Sequence, residues 1–240
     1  MLDFGYYNMD CMEGMKEFPD KYFDLAIVDP PYGGGSDDYD ATSQRYGGVF
    51  DKYFKNIKVE RMGGRTERYN IKAERTGGAW ASKYGKNINE WDVAPTQEYF
   101  DELFRVSKNQ IIWGGNYFGL PPTRCFIIWR KLTISESFSM AMAEYAWTSF
   151  NDNAKVYEHV PQDKTRFHPT QKPVDLYKWL LENYAKDGDL ILDTHVGSAS
   201  SLVACEDMGF KYVGFEIDET YYKKGVERIE DAKAQMSLWR

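Results

Sequence analysis

Four short apolar runs in the sequence each end at a carboxylate, and this pattern is the strongest constraint on the fold. Residues 4–9 and 22–28 precede Asp10 and Asp29, and residues 189–192 and 211–215 precede Asp193 and Glu216. Helical apolar patterns, such as those over 96–107, 173–184, 200–208 and 219–234, alternate with such runs. This alternation favours an α/β fold with a doubly wound, mostly parallel sheet and helices on both faces. Ligands of such sheets bind at the carboxyl ends of the strands, where these four acids are expected.

A chain of 240 residues is long enough for one such domain. We therefore expect a single domain over 1–240, interrupted by an irregular excursion at about 33–90 that Gly pairs punctuate. The net charge of -7 argues against a nucleic-acid partner, but residues 44–86 alone carry eleven basic and four acidic side chains. The sequence thus predicts a basic excursion on an acidic body.

Several classes of protein are disfavoured by the composition. Three widely spaced cysteines with no Cys-x-x-Cys argue against a disulfide framework or a zinc site, so we expect no metal and a cytoplasmic location. The N-terminus lacks the basic and apolar regions of a signal peptide. No apolar stretch reaches the roughly 18 residues that a membrane span needs, so no membrane partner is expected.

The sequence Asp29-Pro30-Pro31-Tyr32 follows the second run and predicts a stiff polar corner. Each proline fixes φ and has no N–H, which leaves the Asp29 carboxylate and the carbonyl groups free to accept hydrogen bonds. A flat ring beside these acceptors suits a planar ligand that carries an amino group. A proline-rich turn with Tyr32 covering the core is the structural alternative, and these four residues alone do not separate the two.

The C-terminal half has the pattern of a nucleoside site. Asp193 is followed by a small-residue turn containing Gly197 and by a helix, and Glu216 ends the next strand, at a spacing that suits hydrogen bonds to ribose. A dinucleotide would need a Gly-x-Gly-x-x-Gly turn, and only Gly197 is present. The carboxylates of Asp10, Asp193 and Glu216, without a phosphate-binding glycine turn, favour a cationic nucleoside. S-adenosylmethionine is such a ligand.

Eight blocks in this order resemble the amino-methyltransferases of DNA, which methylate adenine N6 or cytosine N4, in their permuted beta-type arrangement. They are Asn8-Met-Asp-Cys11, Asp29-Pro-Pro-Tyr32, Ile112-Trp-Gly-Gly-Asn116, Ile128-Trp-Arg-Lys131, Ala146-Trp-Thr-Ser-Phe150, His168-Pro-Thr-Gln-Lys-Pro173, Asp193 to Ser200 and Gly214-Phe-Glu-Ile-Asp218. The blocks span nearly the whole chain outside the excursion. The resemblance implies a Rossmann-like methyltransferase sheet and S-adenosylmethionine as cofactor.

The resemblance also implies roles for individual positions. Asp29 and the Pro30 carbonyl would accept hydrogen bonds from the exocyclic amino group, with Pro31 stiffening the corner and Tyr32 stacking on the base. A base in a duplex must be flipped out to reach such a pocket. In the cofactor half, Asp10 would bind the adenine amino group and Glu216 the ribose. Asp193, Gly197 and Ser198 would line the methionine portion, with Thr170, Lys172 and Pro173 closing over it.

This chain departs from the family pattern in the cofactor turn. Thr194, His195 and Ala199 stand where the family has Pro, Phe and a second Gly, so Ala199 would be strained if its φ must be positive. We expect His195 to be a packed ring in place of Phe, and His159 and His168 to be structural. The polar segment 151–167 is predicted to be a loop.

Many relatives place target recognition between Phe150 and His168, where this chain is short. We therefore expect the excursion to contact DNA instead, through basic residues that include Arg45, Arg61, Arg65 and Arg68. The expected partner is duplex DNA with a flipped target base, adenine N6 being favoured over cytosine N4 because relatives with Asp at the first motif position mostly use adenine. An RNA amino-methyltransferase, an inactive nucleic-acid-binding relative and a homodimer are left open.

Overall fold

The computed structural model describes residues 1–32, 93–135, 141–161 and 165–237. Its strands are β1 (Gly5–Asn8), β2 (Phe23–Val28), β3 (Ser107–Trp113), β4 (Phe126–Lys131), β5 (Ala143–Thr148), β6 (Lys155–His159), β7 (Leu190–Asp193) and β8 (Lys211–Glu216). Its α-helices are α1 (Cys11–Lys16), α2 (Gln97–Val106), α3 (Val174–Tyr184), α4 (Ser200–Met208) and α5 (Glu219–Ser237). The predicted excursion at about 33–90 lies outside the described residues, as do Arg45, Arg61, Arg65 and Arg68.

The described strands form one sheet in the order β1-β8-β7-β2-β3-β5-β4-β6. All neighbours are parallel except β5, which runs antiparallel to β3 and β4. The predicted mostly parallel α/β sheet is therefore confirmed. Because β1, β8, β7 and β2 are parallel neighbours, their carboxyl ends meet at one edge, and this edge carries the four acids that end the apolar runs.

Strand β2 shows why the sheet is covered on both faces. Leu25 and Ile27 belong to the core beneath α3 and α4, whereas Ala26 and Val28 belong to the core beneath α1 and α2. Side chains alternate across a strand, so a strand buried on both sides must be apolar throughout. The apolar faces of the helices complete the two cores, for example Leu103 in α2 and Leu180 in α3.

The prediction of a loop over 151–167 is wrong in its middle part, because Lys155–His159 forms β6 at the edge of the sheet. One face of this strand packs inward, with the Tyr157 ring 5.1 Å from that of Trp179. The other face is open to solvent: Val156 is 61 % exposed, and Glu158 pairs with Arg130 at 2.8 Å. An edge strand needs polar residues on its open side, and this polarity imitates a loop in the sequence.

The remaining predicted helices and strands lie within a few residues of the observed ones. Helix α4 covers the residues predicted for it, and β3 begins at Ser107, directly after α2 ends at Val106. Cys11, Cys125 and Cys205 are free thiols. Within the described ranges, no helix is long and apolar enough to cross a membrane. The same ranges contain no group of three or more His, Cys, Asp or Glu residues that could hold a metal ion.

Candidate functional site

A cavity of about 660 Å³ opens at the carboxyl edge of the sheet. Its wall combines the corner after β2, the segment before α3, the turn after β7 and the end of β8. Of the residues predicted for the site, those that line it are Asp29, Pro30, Pro31, Tyr32, Thr170, Lys172, Gly197, Ser198 and Glu216. The fold therefore brings the predicted base-binding corner and most of the predicted cofactor-binding residues to one cavity, although they lie far apart in the sequence.

Two side chains of the cavity wall hold the Asp29 carboxylate in place. The Tyr32 hydroxyl donates to its Oδ1 at 2.6 Å, and the Lys172 ammonium group donates to its Oδ2. The side chain of Asp29 is 13 % exposed and that of Lys172 only 3 %. The buried ion pair with Lys172 therefore holds the Asp29 carboxylate in place at the cavity wall.

Lys172 is shared with a second carboxylate, Glu144 in β5, which it contacts at 3.1 Å. Lys131 in β4 contacts the other oxygen of Glu144 at 2.5 Å. Although burial raises the pKa of Glu144, the two ammonium groups outweigh it and lower that pKa to about 2. Burial likewise lowers the pKa of Lys172, but Asp29 and Glu144 raise it above its usual value. The four side chains thus form a charge-neutral chain along the cavity wall.

Sequence reasoning missed Glu144 and Lys131 as site residues. Lys131 ends one of the family blocks, Glu144 lies two residues before another, and both line the cavity. The available signal was a charged residue at an otherwise apolar strand. Such residues are seldom buried unless they are paired, but the sequence does not show which partners they have.

Tyr32 lies at the mouth of the corner, with its ring stacked on that of Tyr117 at 5.0 Å and an interplanar angle of 24°. Gly114, at the end of β3, has φ of 67°, and a Cβ at this position would lie 2.1 Å from the Tyr32 ring. Only glycine combines this conformation with such close contact. Burial raises the pKa of Tyr32 well above its usual value, so the hydroxyl stays protonated and donates to Asp29.

The turn after β7 is braced by Glu216. Its Oε2 accepts the Gly197 N–H at 2.8 Å, and its Oε1 accepts the Asp218 N–H at 2.8 Å. Gly197 has φ of 54°, and a Cβ there would lie 3.3 Å from the His168 ring. The carboxylate that was predicted to bind ribose therefore also holds the turn in place.

The predicted strain at Ala199 is confirmed. This residue caps α4 with φ of 60° and ψ of 21°, a left-handed conformation that is unfavourable for alanine. Arg228 stabilises the same turn, because its Nη1 donates to the Ser198 carbonyl at 2.7 Å and to the Ser200 hydroxyl at 2.8 Å. Ser198 also contacts Ser200 through the two hydroxyl groups at 3.1 Å.

Three of the residues predicted for cofactor binding are not among those that line the cavity. Asp193 is 2 % exposed and accepts the His195 N–H at 3.0 Å and the Ser201 hydroxyl. Burial raises its pKa to about 7, against the hydrogen bonds from Ser201 and His195 that lower it. Asp10 caps α1 through the Met12 N–H at 2.7 Å, and Pro173 caps α3.

The remaining predicted residues that the structure describes lie along the segment before α3. His168 packs its ring edge-on against Tyr221 at 4.3 Å, and its Nδ1 lies 3.2 Å from the Thr170 hydroxyl. Lys172, predicted to close over the methionine portion of a cofactor, lines the cavity and extends to Asp29 in the corner after β2. The His195 ring packs edge to face on Tyr99 at 5.3 Å, as expected, and also lines the cavity.

Sequence comparison relates the chain to DNA methylases. Residues 79–227 match the family described as DNA methylase, of the N6/N4 type. The putative methylase YubD of Escherichia coli K12 is 35% identical over 30% of this chain and 31% of that protein. The DNA adenine methyltransferase YhdJ of the same organism is 36% identical over 29% of this chain and 24% of that protein. The matched segments thus span less than a third of the length of either relative.

Solved structures share the fold. The cytosine-N4-specific PvuII DNA methyltransferase superposes with a TM-score of 0.54 at 12% identity, covering 95% of this chain and 90% of that one. A putative DNA modification methylase of Thermus thermophilus, complexed with S-adenosyl-L-methionine, gives a TM-score of 0.51 at 16% identity over 96% and 94%. At such identities the likeness shows the fold alone.

The match to the family covers more than half of the residues of this chain. The chain therefore belongs to the N6/N4 DNA methylase family.

Proposed function

We propose that this chain is an S-adenosylmethionine-dependent DNA methyltransferase that methylates the exocyclic amino group of a flipped base. Adenine N6 is the favoured target, and cytosine N4 is the alternative. One observation carries the proposal: the Asp29 carboxylate, paired with Lys172, and the braced turn at Gly197 and Glu216 line the same cavity. An acceptor for an amino group thus lies beside a turn suited to a nucleoside.

The residues present fit S-adenosylmethionine. The turn after β7 lines the cavity with Gly197, where a side chain would crowd His168. Because glycine has no side chain, the turn leaves this space to a ligand. Glu216 and Asp218 give this end of the cavity acidic walls, which suit a cationic ligand better than a pyrophosphate. When bound, S-adenosylmethionine supplies the activated methyl group.

Each predicted cofactor residue keeps a role in this proposal. Glu216 binds ribose and Asp10 the adenine amino group, while Gly197 and Ser198 line the methionine portion. Asp193 supports the same turn from behind through the His195 N–H. Thr170, Lys172 and Pro173 form the opposite wall, of which Thr170 and Lys172 line the cavity directly.

Asp29 and the Pro30 carbonyl accept the two N–H groups of the target amino group and so orient its nitrogen. No covalent nucleophile is needed, and catalysis rests on positioning and on stabilising the charge that develops at the nitrogen. Flipping the base costs a few kcal/mol, of which stacking on an aromatic ring such as Tyr32 recovers on the order of 1–3 kcal/mol.

Asp at the first position of the corner supports adenine as the target, since family members with this residue mostly use adenine. YhdJ, whose name describes a DNA adenine methyltransferase, is a relative in sequence, whereas the cytosine-N4-specific PvuII enzyme is a relative in fold. The proposal also includes duplex DNA as partner, bound through the excursion, and a homodimer that light scattering would detect.

The test is transfer of a tritiated methyl group from S-adenosylmethionine to plasmid DNA. Wild type is expected to label DNA, and Asp29→Asn to lose at least about 100-fold in rate, a typical loss when a group that stabilises the transition state is removed. Asp20→Asn is the matched control, because the Asp20 side chain is 77 % exposed and far from the cavity in the fold.

Single-molecule sequencing of the methylated plasmid then identifies the base and its sequence context. Labelling of duplex RNA in preference to DNA would favour the RNA methyltransferase instead. No labelling of either nucleic acid by wild type would contradict the proposal and favour an inactive nucleic-acid-binding relative.

A further inference from the structure

A buried chain of hydrogen bonds leads from α2 to the cavity. The Tyr99 hydroxyl lies 2.6 Å from Thr194 Oγ1, which lies 2.9 Å from Nδ1 of His195. Tyr99 and Thr194 are 3 % and 2 % exposed, whereas the His195 ring lines the cavity. The rings of Tyr99 and His195 meet edge to face at 5.3 Å and 74°. Thr194 and His195 are two of the positions at which this chain departs from the family pattern.

The direction of these hydrogen bonds follows from counting protons. Each hydroxyl carries one proton. In the described part of the chain, the Thr194 hydroxyl has no hydrogen-bond partner other than the Tyr99 hydroxyl and Nδ1 of His195. If Thr194 donated to Tyr99, the Tyr99 proton would have no acceptor among those residues. Only one arrangement satisfies both protons: Tyr99 donates to Thr194, and Thr194 donates to Nδ1 of His195.

This arrangement sets the tautomer of His195. Because Nδ1 accepts, the proton of the neutral ring must be on Nε2. Burial lowers the pKa of His195 to about 4, so the ring is neutral near pH 7. Among the described residues, the buried side-chain atoms that lack a hydrogen-bond partner are Tyr6 Oη, Trp113 Nε1 and Arg166 Nε. Nε2 of His195 has no partner among these residues either, but it is not one of the buried atoms. An N–H donor therefore faces the cavity.

Asp10 supplies an acceptor near this donor. Its Oδ1 accepts both helix-capping N–H groups, from Met12 at 2.7 Å and Glu13 at 3.4 Å, and Oδ2 has no partner in the described residues. The carboxylate is close enough to act on the pKa of His195, opposing the effect of burial. A donor and an acceptor near each other match adenine, which presents an amino group beside ring nitrogens that accept.

We propose that Nε2–H of His195 donates to N1 or N7 of the cofactor's adenine, the two ring nitrogens that flank its amino group, and thereby makes cofactor binding specific for that base. The inference rests on the proposed function, since it assigns the adenine to the end of the cavity near Asp10. It adds to the packing of the ring on Tyr99 a hydrogen-bonding role that a phenylalanine at this position cannot perform.

Binding without turnover tests the contact. Calorimetry would measure the affinity of S-adenosylhomocysteine and of its 1-deaza and 7-deaza analogues, each of which lacks one ring acceptor. Wild type is expected to bind one of the two analogues about 10-fold more weakly than the parent, the loss of one hydrogen bond. His195→Phe should bind the parent about 10-fold more weakly and no longer distinguish that analogue. His195→Gln, whose amide can donate at a similar position, should keep part of the discrimination.

The tautomer is tested independently of any ligand. Nitrogen-15 chemical shifts of the ring in the free protein should show Nε2 protonated and Nδ1 bare. Thr194→Ser should preserve this pattern, and Thr194→Val should relax it, with circular dichroism confirming that each variant is folded. A ring protonated on Nδ1 in wild type would overturn the inference.

The binding outcomes separate the two proposals. Equal affinity of wild type for the parent and both analogues overturns the role of His195 but leaves the proposed function intact. The same holds if His195→Phe retains full discrimination. Failure of wild type to bind S-adenosylhomocysteine at all contradicts the proposed function, and the role of His195 falls with it.

Discussion

The Lys172 ammonium group donates a hydrogen bond to the Asp29 carboxylate, joining two residues that are 143 positions apart in the sequence. The contact links the segment before α3 to the corner after β2, across the cavity wall. Glu144 shares the same ammonium group at 3.1 Å and is itself held by Lys131. Asp29 is therefore oriented by a network of ion pairs that the strands β4 and β5 complete.

Lys172→Met is expected to lower the rate of methyl transfer by at least about 100-fold, because Asp29 loses the ammonium group that pairs with it and holds it in place. Breaking a buried ion pair also leaves uncompensated charge, so the free energy of unfolding should fall by about 3–5 kcal/mol. Steady-state kinetics and urea unfolding measure the two effects.

Lys178→Met is the matched control for that substitution. Lys178 lies on α3 and pairs with Asp207 at 2.6 Å, but its side chain is 35% exposed and away from the cavity lining. Loss of such a pair should cost at most about 1 kcal/mol and leave the rate unchanged. Equal behaviour of the two variants would show that Lys172 has no special role.

Gly114→Ala is expected to displace Tyr32, because the added Cβ would lie 2.1 Å from its ring and φ is positive. Overpacking and backbone strain together should destabilise the protein by about 1–3 kcal/mol and reduce methyl transfer. Gly119→Ala, in the same connection and with nothing within 4 Å of the added Cβ, should change stability by no more than about 0.5 kcal/mol. Thermal unfolding and the methylation assay would show whether the two glycines differ.

Ala199→Gly is expected to stabilise the protein, because φ of 60° strains alanine and not glycine. Relief of about 1–2 kcal/mol is partly offset by the greater freedom of glycine in the unfolded chain, so a net gain of about 0.5–1 kcal/mol is expected. Ala204→Gly, inside the same helix, should instead lose about 1 kcal/mol. Urea unfolding distinguishes the opposite signs, and a loss of stability in Ala199→Gly would contradict the assigned conformation.

Asp193 should make stability depend on pH. Its pKa is about 7 in the folded protein and 3.8 in the absence of the fold, so between these pH values the folded state binds more protons than the unfolded state. The free energy of unfolding should therefore fall as pH rises through this window, by up to about 1.4 kcal/mol per pH unit. Glu144 does not contribute to the pH dependence above about pH 5.5, since its folded pKa is about 2 and the group is then ionised in both the folded and the unfolded state.

Urea unfolding of wild type and Asp193→Asn from pH 4.5 to 7.5 measures this dependence. The difference in unfolding free energy between the two proteins should shift in favour of the variant as pH rises, because asparagine does not titrate. A difference that is constant over the window would mean that Asp193 is ionised throughout.

The excursion is expected to contribute to DNA binding through its basic residues. Replacing three of them by Glu should weaken binding and lower the slope of affinity against salt by up to about 3, one per phosphate contact. The three are Arg61, Arg65 and Arg68. A control with the same change of charge reverses three exposed lysines on the acidic body, Lys16, Lys223 and Lys233. Salt titrations with duplex DNA should separate the two variants. Unchanged binding by the arginine variant would show that the excursion does not contribute to DNA binding.

The sequence predicted the elements that local periodicity specifies. Apolar runs marked the strands at the centre of the sheet, and the small-residue turn after Asp193 marked the start of α4, which covers the same residues in the structure. Because parallel strands present their carboxyl ends at one edge, the approximate place of the cavity also followed from the sequence. The strain at Ala199 could be predicted because a turn of known type requires a positive φ at that position.

Tertiary structure decided the features that depend on which distant groups meet. The ion pairs of Lys172 with Asp29 and Glu144, the raised pKa of Asp193 and the orientation of His195 arise from burial beside particular partners. Strand β6 is stabilised by pairing with β4 at the edge of the sheet, although its own residues resemble a loop. Local sequence patterns specify helices and strands through side-chain periodicity, whereas charge pairing and proton positions depend on distances that only the folded chain defines.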